Sequence, residues 1–75
     1  MEYQTSTLNL AGTLSLFFPI IRIEYKGKQG TFFFEDSPEL QQTAKAYWDD
    51  TLSVPPQKLL VAVKQLKSRV FERGR

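Results

Sequence analysis

The 75-residue chain contains no cysteine and no histidine. Without cysteine there is no disulfide framework, no thiolate nucleophile and no sulfur-ligated metal site. Without histidine the commonest general base and metal ligand is missing as well. Serine-triad, cysteine-protease and zinc-finger chemistry are thereby excluded. Long hydrophobic runs are also scarce. The longest uninterrupted apolar stretch is Leu16 to Ile21, too short to span a membrane, and no charged segment followed by an apolar one opens the chain. A cytoplasmic protein with no membrane partner is expected. Glycine-rich phosphate loops of the Walker or dinucleotide type are absent, and no residue pattern points to a cofactor or a small-molecule substrate.

The residues that are present describe a soluble globular chain, 41% hydrophobic, 13% aromatic and 24% charged. One domain over residues 1–75 is expected. A chain of this mass buries about 60% of the surface its unfolded form exposes, which leaves little net stability. With no disulfide to compensate, self-association is the expected remedy, and a homodimer is the favoured form.

Hydrophobic periodicity predicts an α+β fold, a β-hairpin packed on two or three helices. Thr5, Ser6 and Thr7 offer N-caps to a helix over Ser6–Phe18, in which Leu10, Leu14 and Phe17 share a face. Leu8, Leu10, Leu14 and Leu16 also alternate with other residues, as in a strand, and Gly12 weakens a helix by about 1 kcal/mol, so residues 8–16 stay open between the two. Residues Glu2 to Thr5 form either an edge strand, the third of the sheet, or a tail. Ile21, Ile23 and Tyr25 alternate with Arg22 and Glu24, and after a break the segment Thr31 to Glu35 follows, giving the hairpin. Ser37 as N-cap, Pro38 at the first helical position and Glu39 at the positive helix end start a second helix. Leu40, Ala44, Tyr47 and Trp48 form its buried face, and Asp49-Asp50 end it. Residues Leu52 to Pro56 link to a last helix over Pro56–Glu72. Leu59, Val63, Leu66 and Val70 make its apolar stripe, with Leu60 and Phe71 widening it.

The clearest asymmetry is electrostatic. Residues 1–56 carry four positive and seven negative charges, whereas residues 57–75 carry six positive and one negative. At about 100° per residue, Lys58, Arg69 and Arg73 fall on one flank of the last helix, and Lys64 and Arg75 on the other. Lys67 falls between the sides of Leu66 and Phe71. Cations in the last helical turns stabilise the negative end of the helix dipole. A basic face of this kind also tracks the phosphates of nucleic acid. Lys58, Lys64, Lys67, Arg69 and Arg73 are therefore the candidate phosphate contacts, for DNA or RNA, with Arg22, Lys26 and Lys28 as a second basic surface.

Three phenylalanines run consecutively at Phe32-Phe33-Phe34. Strand alternation lets Phe32 and Phe34 join Ile21, Ile23 and Tyr25 in one layer while Phe33 turns to the side of Arg22 or Glu24. Phe33 is then a spare aromatic for base stacking, for cover by another part of the chain, or for a subunit interface with Arg22 and Glu24, the last being favoured. Gly27-Lys28-Gln29-Gly30 spells G-x-x-G, the backbone clamp of KH domains, but it joins two strands rather than two helices and reads as a hairpin turn. Glu35, Asp36, Glu39, Asp49 and Asp50 are the remaining candidates for acid chemistry. Glu35 and Asp36 at a strand end give the best start for a Mg²⁺ site. Adjacent strand residues diverge, however, so the protein is not expected to be an enzyme.

The order Tyr3-Gln4-Thr5-Ser6, Leu10-Ala11, Phe32-Phe33-Phe34-Glu35-Asp36, Val54-Pro55 and Leu66-Lys67-Ser68-Arg69 spans nearly the whole chain. It resembles a family of small uncharacterised proteins of bacteria and their phages. There an opening Tyr-x-Thr-Ser, a leucine-alanine helix, a Phe-Glu-Asp segment and a C-terminal Leu-Lys helix recur in this order. Leu10-Ala11-Gly12 stands where that family has Leu-Ala-Ala. The resemblance implies a layout without an assigned activity, and the phage association favours a nucleic-acid accessory role. The expected function is a non-enzymatic nucleic-acid-binding module, or alternatively a homo-oligomeric interaction or adaptor domain whose subunits meet at the aromatic hairpin.

Overall fold

The structure, a computed structural model, describes residues 1–27 and 29–73. Lys28, one of the candidate cations, and Arg75 lie outside the described residues. The elements run in the order β1 (Glu2–Thr5), α1 (Leu8–Ser15), β2 (Ile20–Lys26), β3 (Gln29–Glu35), α2 (Pro38–Trp48) and α3 (Pro56–Arg73). The architecture is α+β. A three-stranded antiparallel sheet of order β1-β3-β2 has β3 at its centre, so the opening segment is an edge strand. The hairpin turns through Gly27, whose φ of 62° belongs to the left-handed region.

One face of the sheet meets the helices and the other is open. Phe32 and Phe34 of β3 lie fully buried among Leu10, Ala11 and Leu14 of α1, Leu40 and Ala44 of α2, and Leu66 and Val70 of α3. Tyr3, Ile20, Ile23 and Tyr25 pack around this cluster from the outer strands. Alternation along the strands sends Glu2, Gln4, Arg22, Glu24, Lys26, Phe33 and Glu35 to the opposite side. Half-solvated antiparallel sheets read as apolar on one face and polar on the other, and this one does so except at Phe33.

Two glycines let α3 approach closely. A Cβ on Gly12 of α1 would stand 2.6 Å from Cγ2 of Val63 and 3.3 Å from its backbone nitrogen. A Cβ on Gly30 of β3 would stand 2.6 Å from Cγ2 of Val70. Val63 and Val70 lie two turns apart, about 10 Å along the axis, so α3 is seated on α1 at one point and on the hairpin at the other. Gly12, read from the sequence as a weak point in a helix, is where two helices touch.

Local signals place α2 as expected. The Leu40 amide donates to Ser37 Oγ at 3.1 Å, and Pro38 occupies the first turn. Asp50 takes a φ of 59° just past the helix end. Four expectations need correction. Residues 8–15 are helical, but α1 is shorter than Ser6–Phe18 because β1 takes the chain up to Thr5 and the backbone leaves the helix ahead of Pro19. A register shift between Ile20 and Arg22 puts Ile20, not Ile21, opposite Phe34, leaving Ile21 45% exposed. Trp48 is 62% exposed because α2 ends at it, and its ring meets Tyr47 edge to face at 5.0 Å. Leu60 and Phe71 do not widen the buried stripe of α3 but stand 67% and 64% exposed, since α3 docks through the narrower row Leu59, Val63, Leu66 and Val70.

Candidate nucleic-acid interface

Helix α3 offers the largest cationic surface. Its N-terminus starts at Pro56, where a missing N–H costs no helical bond, and its buried row fixes which side looks outward. Lys58, Lys64, Lys67 and Arg69 are all exposed. Among the described residues, none of these four has a carboxylate within ion-pairing distance. At about 100° per residue they fall on the two margins of the exposed arc, Lys58 and Arg69 on one and Lys64 and Lys67 on the other. Gln57, Val61, Gln65 and Ser68 run between the margins at helical spacing. Arg73 is the last residue of α3.

Beside the Lys58–Arg69 margin lies a groove. One depression of 430 Å³ is bounded by Leu16, Lys58, Val61, Ala62 and Gln65. A second, of 290 Å³, shares Ala62 and Gln65 and continues past Phe18, Pro19 and Ile20 to Arg69.

The second basic surface is built differently. Arg22 Nη1 donates to Glu2 Oε2 at 2.7 Å and Nε to Glu24 Oε2 at 3.1 Å. The same guanidinium lies over the Phe33 ring, 4.0 Å from its centroid. The hydrogen bond from Arg22, reinforced by its charge, holds the Glu2 carboxyl below the usual carboxylate range. The bonds to Glu2 and then Glu24 push Arg22 the opposite way, further into its charged form. Phe33 is only 8% exposed. Of the uses the sequence leaves open for Phe33, the one visible within the single chain is cover, by the guanidinium of Arg22. Lys26 shares this open face, so Arg22 and Lys26 lie on the side of the sheet away from α3 and do not extend its cationic surface.

The acids are dispersed. Asp36 Oδ1 accepts from Gln41 Nε2 at 2.9 Å, and Asp49 Oδ2 accepts from Lys45 Nζ at 2.7 Å. Among the described residues no three acids converge on a point able to hold a metal ion. Nor is any described helix long and apolar enough to cross a membrane.

Sequence reasoning found the cations of α3 but missed the row Gln57, Val61, Gln65 and Ser68 between them. Its spacing of four, four and three residues was the available signal. The Arg22–Glu2 pair had no local signal, because twenty residues separate its members.

The fold and this surface define a two-layer α+β domain in which a cationic helix, its Lys58, Lys64, Lys67 and Arg69 without ion pairs among the described residues, lies opposite a sheet face carrying both acids and bases. The chain belongs to the family described as a domain of unknown function, DUF5659, whose pattern matches residues 1–72. No curated protein and no solved structure matches it.

Proposed function

We propose that this protein is a non-enzymatic nucleic-acid-binding module that presents α3 to the major groove of duplex DNA. The observation that carries the reading is that, among the described residues, Lys58, Lys64, Lys67 and Arg69 make no ion pairs and stand on both margins of a helix whose far side is docked. An α-helix with its side chains is about 10–12 Å across, and the major groove of B-form DNA is about 12 Å wide with phosphates along both walls. Cations at both margins then meet both walls, and Gln57, Gln65 and Ser68 face the base edges. Double-stranded RNA presents a major groove too narrow for side chains to read, so duplex DNA is the preferred form.

The test is fluorescence anisotropy of a labelled mixed-sequence duplex, with single-stranded DNA and double-stranded RNA alongside. Four phosphate contacts give affinity that falls about a hundredfold between roughly 50 and 200 mM salt. Absence of binding at the low-salt end, or binding indifferent to salt, would overturn the reading.

A further inference from the structure

Among the described residues strand β2 pairs with β3 along one side and no strand pairs with its other side, which is a sheet edge. It is the longer of the two edge strands, seven residues against four in β1, and its sequence Ile-Ile-Arg-Ile-Glu-Tyr-Lys is rich in β-formers. An edge of this kind is a template for another strand. We infer that its occupant is β2 of a second copy of this chain, paired antiparallel about a two-fold axis through Ile23, which joins the two sheets into one of six strands.

Charge selects both the partner and the register. A continuous sheet needs core-side residues opposite core-side residues, so adjacent allowed registers differ by two residues. With Ile23 opposite Ile23, Arg22 of each copy faces Glu24 of the other, and the four charges alternate in sign around the axis. Shifting one way sets Arg22 against Arg22. Shifting the other way sets Glu24 against Glu24 and Arg22 against Lys26. Among registers that pair five or more residues of Ile20–Lys26, only the one on Ile23 places unlike charges directly across, the arrangement that favours strand pairing. Arg22 and Glu24 already hold each other in the single chain at 3.1 Å, with side chains 44% and 61% exposed. Both stand on the open face, and in the dimer Arg22 exchanges the bond to its own Glu24 for one to Glu24 of the other copy. The register shift between Ile20 and Arg22 leaves Arg22–Lys26 as the regular stretch of the strand, and Arg22, Ile23 and Glu24 all lie within it.

The contact uses the same patch on both copies and closes on itself, so it gives a dimer rather than a filament. It places both α3 helices on the same side of the joined sheet. The inference does not depend on nucleic-acid binding and is read without nucleic acid present.

Sedimentation velocity over about 1 µM to about 1 mM tests it, since mass action makes a dimer concentration-dependent. The wild type is expected to dimerise. Arg22→Glu and Glu24→Arg are each expected to weaken the dimer at least tenfold. An equimolar mixture of the two variants is expected to restore it, because Glu at 22 and 24 in one copy then faces Arg at 22 and 24 in the other. A wild type that stays monomeric, single variants that dimerise as it does, or a mixture no better than its components would each overturn the inference. If circular dichroism shows a variant unfolded, amide hydrogen exchange on the wild type decides. Amides of Arg22–Lys26 that point away from β3 gain protection with concentration if the inference holds. Protection that does not change with concentration sinks it.

Discussion

Arg22 and Arg69 are the same residue type on two sides of one small domain, and their surroundings are opposite. Arg22 is held between Glu2 and Glu24 and laid over Phe33. Arg69 stands at the rim of a groove and, among the described residues, makes no ion pair. A charged side chain that has satisfied itself within its own chain has less to offer an anion, because binding must first break the internal pair. The count of basic residues therefore overstates the surface available to phosphate. It is the state of pairing that separates the two faces.

The largest expected effect comes from reversing the unpaired side of this contrast. The triple variant Lys64→Glu, Lys67→Glu, Arg69→Glu should bind duplex DNA at least about a hundredfold more weakly at low salt, with the salt slope reduced by about 3, while circular dichroism stays that of the wild type. A triple variant that binds as well as the parent would move the nucleic-acid contact off α3.

Next in size is the seating of that helix. Gly12→Ala gains up to about 1 kcal/mol of helix propensity. It also forces a methyl to 2.6 Å from Val63, and overpacking of this kind costs about 1–3 kcal/mol. A net loss of up to about 2 kcal/mol is expected in urea denaturation. An unchanged or raised midpoint would show that α3 gives way freely.

Smaller still is the effect of removing a paired cation. Lys45 is tied to Asp49 at 2.7 Å, and Lys45→Gln should leave DNA affinity within about twofold. A loss comparable to that of one α3 lysine would erase the distinction between paired and unpaired charge.

The least effect is on acid stability. Because Arg22 holds the Glu2 carboxyl below its ordinary range, the stabilisation from this pair is complete above the unfolded carboxylate value and is lost as pH falls through the lowered folded one. Arg22 is pushed upward and stays charged throughout. Urea midpoints of wild type and Glu2→Gln should therefore differ slightly near neutrality and converge in acid. Curves that stay parallel to the acid end would count against the pair.

What was legible in the sequence was local. Ser37-Pro38 announces a helix start because both its cap and its first turn lie within three residues, and the row Leu59, Val63, Leu66, Val70 repeats at the helical period. The alternation of β2 was also visible, but the register shift between Ile20 and Arg22 was not, and it turned Ile21 outward. Leu60 and Phe71 were misread for a related reason. Periodicity says which residues share a face, whereas the width of the docked face is set by the neighbour, and here α1 meets α3 along a narrow seam at Gly12. At the candidate interface the cations of α3 were readable from charge segregation. The neutralisation of Arg22 was not, since it depends on β1 being brought beside β3 as the opposite edge of the sheet.

The two glycine sockets under Val63 and Val70 have a thermodynamic corollary. A helix seated at two points two turns apart is already ordered before it meets any ligand, so no folding free energy is drawn from the association itself. Recognition through α3 should accordingly resemble the docking of a rigid body. It should show a small heat-capacity change, without the large negative value that accompanies coupled folding, and an on-rate governed by salt.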